Sequence, residues 1–257
     1  MQVVILAGGL GTRLSEETTL KPKPMVEIGG KPILWHIMKI YSHYGYKDFV
    51  ICLGYKGYYI KEWFANYFLH NSDVTFDLKN NQMTVHNNNS EDWKVTLVNT
   101  GDDTLTGGRI KRVIDGGFIN GDEFMMTYGD GVSDVNIKEL VDLHKNNGKL
   151  VTLTAVQPEG RFGKLGMEGN IIHEFAEKKD NEDSYINGGF MVLNKKIVQY
   201  ISGDNISFEK EPLEEIAKKG ELIAYKHKGF WQAMDTLKNK HDLEEMWKNG
   251  SIPWKIW

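Results

Sequence analysis

Val3-Val4-Ile5-Leu6-Ala7-Gly8-Gly9-Leu10-Gly11-Thr12-Arg13-Leu14, followed by Lys21-Pro22-Lys23-Pro24-Met25, is the stretch from which the rest of the chain is read. A short apolar run empties into a glycine-rich loop that carries an arginine, with two lysines close behind. Glycine at positions 8, 9 and 11 lets the backbone turn sharply and offer its N–H groups to an anion. Arg13 and Lys23 add full charges where the backbone supplies only dipoles. This combination suits a nucleoside triphosphate. A Walker loop needs Gly-x-x-x-x-Gly-Lys-Ser/Thr, and no such string occurs. The dinucleotide fingerprint Gly-x-Gly-x-x-Gly fails at Leu14, where its third glycine belongs. A tight turn after a first strand accounts for the glycines, but not for Arg13 together with Lys21 and Lys23 held between prolines.

Outward from this stretch the chain alternates strand and helix. Residues 2–6 read as a buried strand. Pro32 opens a helix that stops before Gly45, with Ile33, Ile37, Ile40, Tyr41 and Tyr44 on its core face. A strand at 48–53 and a helix at about 58–69 follow, and this order predicts an α/β fold: a Rossmann-like mixed, mostly parallel sheet flanked by helices. Residues 73–98 alternate in a β manner around a polar centre and are expected as an inserted hairpin arm, either an exposed loop or a subunit contact. The rhythm resumes with a helix at 106–115, a strand at 123–128, and a helix that Asn136 and Glu139 cap and Gly148 ends. Strands are expected at 150–156, 171–176, 185–193 and 222–227, and helices at 209–219 and 236–248. Neither an internal repeat nor a proline-rich linker divides residues 1–257, so one domain is expected, its sugar-facing part mainly at 150–235.

Composition sets limits. The chain has 257 residues, 40% hydrophobic and 26% charged, as in ordinary globular proteins. A formal charge of −4 gives no electrostatic case for nucleic acid or an anionic membrane, so affinity for phosphate must be local. The single cysteine, Cys52, sits in a strand-like run and reads as a buried, inert thiol suited to a reducing compartment. No signal peptide or spanning apolar run is apparent, and a cytoplasmic location is expected.

Three further strings carry possible chemistry. Phe124-Met125-Met126-Thr127-Tyr128-Gly129-Asp130-Gly131 is an apolar strand ending in a glycine-flanked aspartate, at the strand end where open α/β sheets bind ligands. Asp130 is a turn residue or a Mg²⁺ ligand. Asp235, in Gly229-Phe230-Trp231-Gln232-Ala233-Met234-Asp235-Thr236, is a second metal candidate or the cap of the following helix. Glu174-Phe175-Ala176-Glu177-Lys178-Lys179, with Ile186-Asn187-Gly188-Gly189 beyond, offers a sugar and sugar-phosphate site or a solvated charge run.

In order and over nearly the whole chain, these strings resemble the sugar-1-phosphate nucleotidylyltransferases. Leu14-Ser15-Glu16-Glu17-Thr18, Gly30-Lys31-Pro32-Ile33-Leu34-Trp35-His36 and Gly229 through Thr236 look like the cytidylyltransferase branch of that family. The resemblance implies CTP and glucose 1-phosphate as substrates, CDP-glucose as product, and a place in the synthesis of the dideoxyhexoses of O-antigen lipopolysaccharide. It also implies the nucleotide-diphospho-sugar transferase fold, Mg²⁺ as cofactor and a homo-oligomer, a hexamer. Carried over to matching positions, Leu6, Ala7, Gly8, Gly9, Leu10, Gly11 and Thr12 hold the nucleotide, with Thr104, Thr106, Arg109 and Gly129 as further contacts. Arg13, Lys23 and Asp130 are the catalytic set, Arg13 on the leaving pyrophosphate and Lys23 at the α-phosphorus. Asp130 and Asp235 hold the metal. Gly163, Glu177, Lys178, Asn187 and Gly188 bind the sugar phosphate. Lys179 stands where the family carries a proline. Two other readings stay open: the same reaction with UTP, dTTP or another sugar 1-phosphate, and a non-catalytic nucleotide-sugar sensor.

Overall fold

The computed structural model describes residues 1–157, 164–176 and 185–257, and for Arg13, Ser15, Glu16 and residues 164–168 and 173–176 it describes the backbone alone. The first half comprises β1 (Val3–Leu6), α1 (Ser15–Thr18), β2 (Glu27–Ile28), β3 (Lys31–Pro32), α2 (Ile33–His43), β4 (Asp48–Leu53), α3 (Gly57–Ala65), α4 (Tyr67–His70), β5 (Ser72–Asp77), β6 (Gln82–Asn88), β7 (Lys94–Asn99), α5 (Thr106–Asp115) and β8 (Glu123–Tyr128). After it come β9 (Gly131–Ser133), α6 (Ile137–Asn147), β10 (Val151–Val156), β11 (Lys164–Glu168), β12 (Ile171–Ala176), β13 (Ile186–Asn187), β14 (Met191–Asn194), α7 (Glu211–Lys218), β15 (Leu222–Lys226), β16 (Trp231–Ala233) and α8 (Leu237–Lys248).

The central sheet runs β11-β12-β15-β10-β14-β8-β1-β4-β7, with β13 also on β10. β8, β1, β4 and β7 are parallel to one another, and β15 is parallel to β10. β14 lies antiparallel between β8 and β10. This is the expected mixed, mostly parallel sheet. Side chains of a strand alternate faces, and both faces here are covered: Val3 and Ile5 of β1 join one apolar core, Val4 and Leu6 the other. β4 repeats the pattern with Phe49, Ile51 and Leu53 against Val50 and Cys52, which is why both strands read as unbroken apolar runs. α2 and α6 close the first face through Ile37, Tyr41, Ile137 and Leu140, while α5 and α7 close the second through Ile110, Val113, Leu213 and Ile216. Asn136 caps α6 by accepting from the Glu139 amide, and Gly148, with φ of 59°, ends it.

Three sequence expectations need correction. The arm is shorter than 73–98: β5 and β6 form a separate hairpin, whereas β7 pairs with β4 at the sheet edge. Alternation at Val95 and Leu97 signals a strand but not its partner; both pack on the first core, while Phe76 and Leu78 of the hairpin stay 55% and 89% exposed. The strand expected at 185–193 is broken, because Gly189 and Phe190 take left-handed φ values of 73° and 43°. The helix expected at 58–69 divides at Asn66 into α3 and α4. Among the described residues, no helix is long and apolar enough to cross a membrane.

Candidate active site

The site forms where β1 and β8 end side by side, since parallel strands deliver their following loops to one edge. The Gly129 amide donates to the Leu6 carbonyl at 3.0 Å, and the Ala7 amide to that of Cys52 at 3.0 Å, so the glycine loop leaves the sheet between two neighbours. Buried Arg109 shapes the loop from below. Its guanidinium donates to the carbonyls of Gly8 (3.0 Å), Leu53 (3.0 Å), Gly101 (2.8 Å) and Asp102 (3.3 Å) and to the Thr100 hydroxyl (2.7 Å). No side chain fits at position 8, where a Cβ would lie 2.1 Å from Arg109 Nη1. Gly11, with φ of 65°, turns the chain, and its carbonyl accepts from the Leu14 amide and the Thr18 hydroxyl, both at 3.0 Å. Cys52 lies buried at the floor; burial pushes its thiol up to about 12 against the pull of Arg109, as expected of an inert thiol.

Lys23 follows Pro22 in a 3-10 turn, Lys23–Met25, that is buried throughout. Its Nζ donates to Asp130 Oδ2 at 2.6 Å and to Asp235 Oδ1 at 2.7 Å. The two aspartates meet because β9 and β16 form a ribbon pairing Gly131 with Ala233, and the Met234 amide donates to the Asp130 carbonyl at 2.8 Å. Asp235 is not the cap of α8: Thr236 and Asn239 form that capping box themselves. Burial alone would lower the Lys23 pKa, but Asp130 and Asp235 outweigh it and hold the ammonium above its ordinary 10.5. Among the described residues no cluster of three or more His, Cys, Asp or Glu side chains forms a metal cage. The pair Asp130 and Asp235 already converges on one cation, however, and nucleotide-bound Mg²⁺ takes only one or two carboxylates from a protein. The donor set fits Mg²⁺.

A cleft of about 520 Å³ opens beside the loop, a volume in the usual range of small-ligand sites. Leu6, Ala7, Gly8, Gly9, Leu10, Gly11, Thr12, Lys23, Thr104, Thr106, Arg109, Gly129 and Asp130 all line it. Besides Lys23, two of these side chains give their donors to the protein: Arg109 as above, and Thr106, whose hydroxyl donates to Glu209 at 2.5 Å. Lys21, grouped with Lys23 by sequence, pairs with Glu27 at 2.9 Å, away from the aspartates. Asn187 connects to the cleft through Tyr128, which lines it: Asn187 Nδ2 donates to the Tyr128 hydroxyl at 3.1 Å. Gly188, the next residue, has its carbonyl held by the Trp231 indole at 2.7 Å. Gly163, Glu177 and Lys178 lie outside the described residues, as does the Arg13 side chain. Sequence reasoning passed over Tyr128 and Glu209. Tyr128 stood inside the quoted Tyr128-Gly129-Asp130 string, while Glu209 lies in the charged run Glu209-Lys210-Glu211 and gave no signal.

Comparison with known proteins now identifies the family. The nucleotidyl transferase family model matches residues 2–243. Glucose-1-phosphate cytidylyltransferase of Salmonella typhi is 58% identical over 100% of both chains. The probable glucose-1-phosphate cytidylyltransferase of Bacillus subtilis (strain 168) is 45% identical, also over 100% of both. Among solved structures, HddC from Yersinia pseudotuberculosis superposes with a TM-score of 0.77 at 26% identity, covering 96% of this chain and 99% of that one. The glycine loop, the paired aspartates and these full-length matches lead to one placement: the chain belongs to the nucleotidyl transferase family, among the glucose-1-phosphate cytidylyltransferases.

Proposed function

We propose that the chain transfers a cytidylyl group from CTP to glucose 1-phosphate, releasing pyrophosphate and CDP-glucose. The observation that carries this reading is the Asp130–Lys23–Asp235 bridge at the edge of a glycine-loop cleft. The attacking phosphate oxygen of glucose 1-phosphate is ionised at neutral pH, so no general base is required. The obstacle is repulsion between two anions and the charge that builds on the leaving pyrophosphate. Mg²⁺, held by Asp130 and Asp235, supplies charge neutralisation when bound. Lys23, kept protonated by the same carboxylates, adds positive charge at the α-phosphorus. Arg13 takes the β- and γ-phosphates as they leave. The loop from Leu6 to Gly11 carries base and ribose, while Asn187 and Gly188, with Gly163, Glu177 and Lys178, receive the sugar phosphate. Arg109 serves the nucleotide through the loop carbonyls it holds.

The same reading includes a homo-oligomer, a hexamer. Val74 pairs with Val85 and Phe76 with Met83, so the β5–β6 hairpin presents an apolar face, exposed at Phe76, Met83 and Val85, suited to a second copy. It also includes a cytoplasmic location, which the lone buried Cys52 suits, and supply of CDP-glucose to dideoxyhexose and O-antigen synthesis. The test is pyrophosphate release with glucose 1-phosphate, Mg²⁺ and each of CTP, UTP, dTTP and ATP. Release with CTP alone supports the reading. Release only with another nucleotide transfers the reaction to that base, and none with any nucleotide refutes catalysis in favour of a sensor.

A further inference from the structure

Glu209 sits in the turn before α7, behind buried Phe208. A glutamate there would ordinarily serve the helix, yet Lys210 is the cap residue and makes no side-chain cap bond, and Glu209 faces the other way. Its Oε1 accepts from the Tyr128 hydroxyl at 2.7 Å, and its Oε2 from Thr106 at 2.5 Å and Ser207 at 2.7 Å. A carboxylate only accepts, so all three hydroxyls point their protons at it. That leaves the Tyr128 lone pairs for Asn187 Nδ2, and the Thr106 lone pairs for the Phe208 amide at 2.9 Å. The bonds therefore run in fixed directions, from Asn187 through Tyr128 and from Phe208 through Thr106, to one carboxylate. Tyr128 and Thr106 both line the cleft.

The far end of this chain is a strained turn. Gly189 and buried Phe190 both adopt left-handed φ, a costly conformation for phenylalanine that persists only where the surroundings hold it. The turn is held on several sides: the Gly188 amide donates to the Thr154 carbonyl at 2.8 Å, Trp231 grips the Gly188 carbonyl, and Tyr128 takes the Asn187 amide. We propose that Glu209 is a positioning residue that braces the nucleotide wall at Thr106 and the sugar-side turn at Asn187 through a single carboxylate. This rests on the reaction proposed above and assigns Glu209 no contact with substrate.

The test separates the two arms by kinetics, with circular dichroism confirming that each variant is folded. Tyr128→Phe cuts only the sugar-side arm and raises KM for glucose 1-phosphate about tenfold, the worth of one hydrogen bond to a charged group, with KM for CTP within about twofold. Thr106→Val does the reverse. Glu209→Ala raises both, and Glu209→Ala with Tyr128→Phe is no worse for the sugar than Glu209→Ala alone, because both break one chain. An unchanged glucose 1-phosphate KM in Tyr128→Phe, which removes a single oxygen and is the variant safest for folding, overturns the proposal, as does full additivity in the double variant. Wild-type turnover judges the reaction separately: if another nucleotide is the substrate, the KM comparison is made with it. If none is turned over, calorimetric binding of glucose 1-phosphate replaces KM.

Discussion

Replacing Lys23 by methionine keeps the aliphatic stem and deletes the ammonium that joins Asp130 to Asp235. The side chains of Lys23 and Asp235 are 10% and 13% exposed, and that of Asp130 is 28% exposed. Removing one partner of a buried ion pair costs about 3–5 kcal/mol, because the remaining charge is left uncompensated. Here two carboxylates are stranded together, but water reaches Asp130, so the lower end, about 3 kcal/mol, is expected. At about 2–4 °C per kcal/mol for a chain of this size, melting in chelator falls by about 6–12 °C. Mg²⁺ then reverses the loss: a ligand at a hundredfold over its Kd returns about 2.7 kcal/mol. In the wild type Asp130 and Asp235 are already paired with the Lys23 ammonium, so added Mg²⁺ should stabilise it less. Turnover meanwhile drops by about 10²–10³-fold, the usual effect of removing one charge-stabilising donor. The signature is therefore lower stability in chelator, a larger Mg²⁺-dependent recovery than in the wild type, and no recovery of activity. Unchanged melting in chelator, or a Mg²⁺ effect no larger than the wild type's, refutes the account of the bridge. The pH dependence carries a sign as well. The folded Lys23 pKa is raised above 10.5, so its contribution is complete below that value and disappears only as pH climbs through the raised one. Loss of the Lys23-dependent stability near neutrality would contradict the ion-pair geometry.

Asp130→Asn keeps the fold and lowers pyrophosphate release at least about 10²-fold, since the amide accepts from Lys23 but no longer supplies a metal charge; wild-type turnover would sink the metal assignment. Gly8→Ala drives a Cβ to within 2.1 Å of the anchored Arg109 guanidinium. It should cost about 3 kcal/mol, the upper end for overpacking, measured by urea denaturation. Burial, only partly offset by hydrogen bonds to Ile28 and Lys31 carbonyls, holds the fully buried His36 imidazole at about 4 rather than 6.5. The unfolded chain therefore binds more protons between these values, and stability falls by up to about 1.4 kcal/mol per unit as pH drops from 6.5 towards 4. His36→Gln flattens that part of the melting profile, and an unchanged slope would shift the effect to His144, whose pKa burial also lowers.

Much of the fold was legible because burial on both faces of a sheet writes itself into short apolar runs. Residues 48–53 and 123–128 were bounded correctly as strands, and Asn136 and Gly148 marked the ends of α6 through capping chemistry that is local in sequence. Partner choice was not legible. Val95 and Leu97 announced a strand, but only packing against the first core decides that β7 extends the sheet rather than the hairpin. The site divided in the same way. The glycine loop is contiguous and could be read directly. Lys23 meets Asp130 across 107 positions and Asp235 across 212, distances over which no periodicity speaks. Asp235 was ambiguous between cap and ligand, and the capping of α8 by Thr236 removes the first of these readings. Glu209 was illegible for a simpler reason: in a charged run, an acceptor serving three hydroxyls looks like a solvated side chain.

The strand that joins these parts is β8. On one side it is parallel to β1, whose end delivers the glycine loop; on the other it is antiparallel to β14, whose approach delivers the Asn187–Phe190 turn. Its last residue, Tyr128, ties that turn to Glu209, and Asp130 just beyond it faces Lys23. A strand flanked by partners of opposite direction thus receives one loop from each half of the sheet at a single end. Asp235 is the component that the sheet does not supply. It arrives on the β9–β16 ribbon, which is pinned where the Ser133 hydroxyl donates to the Phe230 carbonyl at 2.7 Å and His227 meets Asp134 at 2.9 Å. Gly229 permits this close fit, since a Cβ there would lie 2.4 Å from Asp134 Oδ1. The glycine loop is therefore anchored in the centre of the sheet, whereas half of the aspartate pair depends on a short ribbon. Under the proposed assignment of Asp130 and Asp235 to Mg²⁺, Ser133→Ala should consequently raise the Mg²⁺ concentration needed for half-maximal pyrophosphate release before it raises KM for CTP, and an unchanged Mg²⁺ requirement would refute this role of the ribbon.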